Sequence, residues 1–165
     1  MKEPLNDLNR VHQEFVQVLS AIPEDQLNTV PFEGSWTAAQ VTEHAWKAAS
    51  VDTLYGDTSP TDRDPGEKIK AVSDLFLNMD IRMQSPDFIY SSDKKYGKQE
   101  LLDMVNDRFN KLIVAAKTLN ITVTCLAFEV PGFGAFTRLE FIWFYIVHTQ
   151  RHIFQLKKIA KVLAG

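Results

Sequence analysis

The stretch Phe141-Ile142-Trp143-Phe144-Tyr145-Ile146-Val147-His148-Thr149-Gln150-Arg151-His152 decides how the chain is read. Seven apolar residues running into a polar turn describe a helix buried nearly all round rather than an amphipathic surface helix. Residues at i and i+4 share a helix face with Cβ atoms about 5–6 Å apart, so His148 and His152 can reach one metal ion. Histidines that prolong a buried helix need polar partners, and a metal is one such partner. The same spacing also fits surface histidines or hydrogen-bonded core histidines. The zinc-protease turn is excluded, because it needs Glu directly after the first histidine and the chain has Thr149 there.

Composition sets the frame around this helix. With 165 residues, 45% hydrophobic and 11% aromatic, the chain can bury one real core but not two ordinary ones, so residues 1–165 are expected to form a single domain. Eighteen basic residues against 21 acidic ones leave a net charge of −3, which gives no general attraction for nucleic acid. The cluster Lys157, Lys158 and Lys161 falls in the last turns of the final helix and suits its dipole. Cys125 is the lone cysteine and cannot form an intrachain disulfide. The start Met1-Lys2-Glu3-Pro4-Leu5-Asn6-Asp7 lacks the basic end and apolar run of a signal peptide. These features lead to the expectation of a cytoplasmic protein, and no apolar run is long enough for a membrane span.

Working outward, the chain divides into helices joined by punctuated connections. Leu5, Leu8, His12, Phe15 and Leu19 follow helical spacing, and Ile22-Pro23 ends that first helix. Thr37 with Gln40 forms a capping-box pattern for a second helix, expected to carry Val41, His44, Ala45, Ala48 and Val51 on one face until Tyr55-Gly56-Asp57. Residues 55–65 read as a loop. Asp64-Pro65 looks like an N-cap and first turn of a third helix through Lys70, Val72, Leu75, Phe76 and Met79. After Ser85-Pro86 and the short apolar Phe88-Ile89-Tyr90, a fourth helix buries Leu101, Leu102, Val105, Phe109, Leu112, Ile113 and Ala116. Ile121-Thr122-Val123-Thr124-Cys125-Leu126 has strand-like content, but no comparable partner strand is evident, so it is expected to be an extended connection. Gly132-Phe133-Gly134 supplies flexibility and lacks the ending of a phosphate loop. Thr137 with Glu140 forms a second capping box at the head of the last helix.

Four substantial helices and a shorter one, with complementary apolar stripes, predict an all-α bundle. Bundle sites are built from side chains on facing helices. His44, on the apolar face of the second helix, is then the natural third ligand beside His148 and His152. Three imidazoles on two helices leave coordination positions open, as in a catalytic rather than a structural metal site. An iron-carboxylate bundle is disfavoured, since no Glu-x-x-His pair occurs.

Two segments carry a family resemblance. Gly34-Ser35-Trp36-Thr37-Ala38-Ala39-Gln40-Val41-Thr42-Glu43-His44, with its Trp-Thr-x-x-Gln helix start, resembles the first signature of the DinB/YfiT-like superfamily. Gly134-Ala135-Phe136-Thr137-Arg138-Leu139-Glu140, followed by the His148–His152 turn, resembles the last. The two lie at the right ends of a chain of the right length, while residues 55–133 match only in helical character. The resemblance implies a four-helix bundle with a short extra helix and extended connections, a divalent metal on His44, His148 and His152, and assembly as a homodimer. Members of the superfamily include thiol-dependent transferases and an isomerase that uses low-molecular-weight thiols, and others described as metal-dependent hydrolases. Fold and ligands transfer better than reaction.

Neutral imidazoles at an open site suit Zn²⁺ and Ni²⁺, with Fe²⁺ and Mn²⁺ as further options. The expected activity is transfer from a low-molecular-weight thiol cosubstrate, or hydrolysis, on a small molecule, with no catalytic residue named by sequence. The alternative is a non-catalytic bundle, metal-binding or metal-free, acting as a stress-response or ligand-binding module. His12 and Gln40 are candidate pocket residues whose simpler roles are core or boundary histidine and helix cap. Tyr145 and Gln155 are candidates for orienting the imidazoles, with ordinary packing as the plainer reading. Trp36 reads as a staple on the second helix, and Cys125 as an inert buried thiol.

Overall fold

The computed structural model describes residues 3–165. Met1 and Lys2, in the N-terminal stretch read above, and the side chain of Phe88 lie outside what is described. Six helices and a small sheet follow one another as α1 (Leu5–Ala21), α2 (Ala38–Ala48), α3 (Asp52–Tyr55), β1 (Thr58–Ser59), α4 (Ile69–Phe76), α5 (Lys98–Thr118), β2 (Thr124–Val130), β3 (Gly134–Thr137) and α6 (Arg138–Leu163). The long helices α1, α2, α5 and α6 make the bundle, and α6 packs against all the others of that set as well as α4. Among the described residues, no helix is long and apolar enough to cross a membrane.

The core follows the helical stripes, with Leu5, Leu102, Ile113 and Ala116 only partly buried. Leu8, Val11, Phe15 and Leu19 of α1 are buried, as are Leu101, Val105, Phe109 and Leu112 of α5. Helix α6 buries residues on every side in its first half, Leu139 to Val147, with only Phe144 partly exposed. Both capping boxes form. Thr37 Oγ1 accepts from the Gln40 N–H while Gln40 Oε1 accepts from the Thr37 N–H, and Thr137 and Glu140 do the same at the head of α6.

Three local expectations need correction. The second helix does not run to Tyr55: it stops at Ala48, because Arg108 Nη1 takes the carbonyls of Trp46 and Ala49 at 2.7 and 2.8 Å and the chain turns away. Val51 falls outside it, and the separate turn α3 follows. The third helix does not begin at Asp64-Pro65 or reach Met79. Asp64 instead builds a tight turn, its carboxylate accepting from the Gly66 N–H at 2.7 Å, and α4 starts at Ile69 and ends at Phe76.

The third correction concerns residues 121–134. The expected extended connection is a strand, β2, and it has two partners. The chain forms a three-stranded antiparallel sheet in the order β1-β2-β3, with Thr58 opposite Cys125 and Val130 opposite Gly134. Gly132 and Gly134, at φ 83° and 72°, adopt left-handed conformations that the hairpin tip requires and that L side chains avoid. The loop at 55–65 supplies β1. The sheet is minor, and the architecture remains a helical bundle.

Candidate metal centre

Helices α2 and α6 lie side by side, and each carries imidazoles toward the other. The Thr37 capping box fixes where α2 begins and hence the face on which His44 emerges. The Thr137 box does the same for α6, eleven residues before His148. The three rings meet: His44 Nε2 is 3.2 Å from His148 Nε2, and His152 Nε2 is 3.1 Å from the same atom. Among the described residues, His44, His148 and His152 are the group whose ligand atoms could hold a metal ion, all lying within 4.8 Å of one another. All three are buried.

The far sides of two rings are fixed by hydrogen bonds. His44 Nδ1–H donates to the Ile89 carbonyl at 2.8 Å, and His152 Nδ1–H donates to Gln155 Oε1 at 2.9 Å. Each ring is thereby set with its proton on Nδ1 and a lone pair on Nε2. Both lone pairs face His148 Nε2, which can carry at most one proton when neutral. Three nitrogens thus converge with one proton between them at most, and one lone pair goes unmatched. That is an electron-rich cluster, and an electron-pair acceptor resolves it. The 3.1–3.2 Å contacts also approach the roughly 3.3 Å that separates tetrahedral nitrogen ligands at Zn–N distances of about 2.0–2.1 Å. The donor set therefore fits a divalent metal.

Electrostatics keep the rings neutral. Burial lowers all three pKa values. His152 is pushed down to about 3, with His44 and Arg151 adding to the effect against the Gln155 hydrogen bond. For His148 the neighbouring imidazoles and Arg151 add to burial, and for His44 the Ile89 hydrogen bond opposes burial only in part. Neutral imidazole is the ligand form, so no proton must leave before metal binds.

Aromatic rings wall the cluster. Trp36 packs on His44 with ring centroids 5.1 Å apart, and Phe144 and Phe76 lie 5.4 and 5.8 Å from His148. Residues 89–92 cross the open side of α2. Lys47 donates to the Tyr90 carbonyl, Gln40 Nε2 to the Ser92 carbonyl, and the Ser92 N–H and hydroxyl donate to Glu43. Burial disfavours ionised Glu43, yet Ser92 and Lys47 outweigh it and hold the pKa below its ordinary value. Its carboxylate is thus already engaged in these bonds. Arg151, between the two candidate ligands of α6, donates to the carbonyls of Phe76, Asn78 and Ile81 and so ties the end of α4 to the site.

The other sequence candidates sort cleanly. Gln155 orients an imidazole through its Oε1 and is more than ordinary packing. Tyr145 does not: its hydroxyl donates to the Ser50 carbonyl at 2.8 Å. His12 bonds Asn106 at 2.7 Å and stacks on Phe109, so it is a satisfied histidine at the half-buried boundary of the core. Gln40 caps α2 and tethers Ser92. Trp36 is more than a staple, since it touches a candidate ligand. The Ile89 carbonyl was invisible beforehand, because a backbone acceptor leaves no side-chain signal.

The model of the DinB superfamily matches residues 7–156, and the chain belongs to that superfamily. Among solved structures, it is similar to YfiT from Bacillus subtilis, described as a probable metal-dependent hydrolase with an unusual four-helix bundle topology. The identity is 15%, the TM-score 0.60, and the match covers 98% of this chain and 86% of that one. No curated protein matches.

Proposed function

We propose that this DinB-superfamily chain is a metal-dependent enzyme acting on a small molecule, with a divalent ion on His44, His148 and His152. The observation that carries the reading is the convergence of three neutral Nε2 atoms, two of them oriented from behind by Ile89 and Gln155. The description of YfiT as metal-dependent supports it. Zn²⁺ or Ni²⁺ suits such donors best. When bound, the ion supplies Lewis acidity that makes a thiol or a water nucleophilic at neutral pH.

The chain's own residues do the rest. Ile89 and Gln155 hold the imidazoles in the tautomer that binds metal. Trp36, Phe76 and Phe144 exclude water from the ligand side and lower the local dielectric, which strengthens every polar interaction there. We favour thiol transfer, with a low-molecular-weight thiol as cosubstrate, because Glu43 is held by Ser92 and Lys47 and is not poised as a general base. A thiol needs no such base once its proton is acidified. Hydrolysis is the second reading, supported by the description of YfiT. A homodimer belongs to the same proposal, with exposed Phe32 and Phe154 as apolar surface available for burial.

Elemental analysis of purified, reconstituted protein tests the metal. About one divalent ion per chain is expected, together with its loss in a His148→Ala/His152→Ala variant. Stoichiometric metal in that variant would sink the ligand assignment. Assays with a panel of thiols, electrophiles, esters and amides then separate transfer from hydrolysis, and turnover by metal-free protein would favour a non-catalytic role for the cluster.

A further inference from the structure

A second concavity lies beside the metal centre, of about 310 Å³, where the end of α2, α5, β2 and the first half of α6 meet. Its wall combines Arg108 with the rings of Trp46, Phe128, Phe141, Phe144 and Tyr145. It also touches both sides of the candidate metal site. Ile89, whose carbonyl orients His44, lines it, and so does Phe144, which packs against His148. A molecule seated there would lie one residue's thickness from the imidazoles.

Arg108 is the unusual member. Its Nη1 group spends both hydrogens on the Trp46 and Ala49 carbonyls, capping α2. Its plane stacks over the Trp46 ring at 4.5 Å. Nε and Nη2 then carry three further N–H donors, two of them parallel on the side-on edge of the guanidinium, the edge that pairs with a carboxylate through two parallel bonds. Among the described residues none accepts from that edge, and no carboxylate lies within ion-pair distance. Capping alone needs one nitrogen, which a lysine could supply. A fixed, half-buried fork in the wall of an aromatic pocket is a different feature.

We infer that this pocket binds the carboxylate of a small aryl- or alkyl-carboxylic acid, with the Nε/Nη2 edge of Arg108 as its anchor and the rings as its apolar seat. The inference rests on the metal-centre reading for its catalytic meaning: it names the substrate class as a carboxylate-bearing small molecule, held with its body toward Ile89 and Phe144. Burial lowers the Arg108 pKa while Asp52 and Asp107 oppose the effect, so a bound carboxylate would relieve an under-compensated charge. Lys47, at the rim, is engaged by Glu43 at 3.2 Å and leaves Arg108 as the dominant cation.

Calorimetric titration of the full chain with phenylacetate and with its neutral amide, phenylacetamide, tests the pocket without any turnover. Phenylacetate is expected to bind at least tenfold more tightly. Arg108→Lys, which keeps charge and cap but loses the fork, should weaken phenylacetate at least tenfold while metal content stays that of the parent. Ala48→Leu, which fills the pocket and leaves Arg108 in place, should also abolish binding, and it decides the matter if the first variant does not fold. Equal affinity for acid and amide, or no binding of either, overturns the inference. So does binding that survives in both Arg108→Lys and Ala48→Leu. Phenylacetate bound by the parent and lost in His148→Ala/His152→Ala, yet retained in Arg108→Lys, would show that the acid ligates the metal instead. Because metal content is read separately, the pocket and the metal centre can fail independently.

Discussion

Gln155 is three residues from His152 and accepts its Nδ1 proton at 2.9 Å, so one side chain decides which nitrogen of that ring is free for a metal. Gln155→Met keeps the size and removes the acceptor. Metal affinity should fall by roughly 10- to 100-fold, the usual cost of losing a ligand's outer partner, as read by competition with a chelator. Cys125 and Tyr145 illustrate the opposite case of groups kept protonated. Burial raises both pKa values, against Arg138 for the thiol and chiefly a Thr53 hydrogen bond for the phenol. The unfolded chain gives up these protons first, near pH ~8.5 and ~10, so the stability fully present below those values declines as pH rises above them. Urea midpoints measured between pH 7 and 11 should therefore drop on the alkaline side, and Cys125 should resist a thiol reagent until the protein unfolds. Rapid native labelling would contradict its burial.

The two helix starts that carry capping boxes were legible in the sequence, whereas the start at Ile69 and the strand partners were not. A capping box is a local contract over four residues, so Thr37-Ala38-Ala39-Gln40 and Thr137-Arg138-Leu139-Glu140 announce themselves. The sheet depends on β2 meeting a two-residue strand far earlier in the chain, Thr58 pairing with Cys125 and Ser59 with Thr124, and nothing local encodes that. The end of α2 was misplaced for the same reason, since its terminator, Arg108, comes from another helix. The histidine cluster was readable because two of its members share one helix and the third lies on an apolar face. Its orienting carbonyl and aromatic wall depend on tertiary packing. The two caps also differ in consequence. Thr37→Ala should cost about 1 kcal/mol in denaturant unfolding. Glu140→Ala should cost more, roughly 2–3 kcal/mol, because it removes the carboxylate that Arg63 bonds at 2.6 and 2.8 Å and the acceptor of the Lys68 N–H, while Glu67 stays 3.5 Å from that partly exposed guanidinium. Similar losses for the two variants would show that the Arg63 pair contributes little.

At the scale of the whole molecule, one apolar core runs through α1, α2, α5 and α6, and burial on that scale is expected to hold the fold by itself. Stripping the metal with a chelator should leave the helical circular dichroism intact and lower the melting temperature only by the linked binding energy. Cooperative unfolding on chelation at neutral pH would mark the ion as structural. Light scattering across micromolar concentrations tests the proposed dimer, and a monomer mass throughout would remove it. The two capping boxes have one more consequence, and it concerns how the gene can change. Each box sets the phase of the helix behind it, and a helix turns about 100° per residue. One codon inserted between Glu140 and His148 would swing both histidines off the face they share with His44, while one inserted in the exposed stretch after Met83 would leave the phase untouched. Descendants of this chain can therefore drift in length across their loops, but the reading frame of helix faces from Thr137 to His152 must pass unaltered, and alanine insertions at the two places should show that split in metal content.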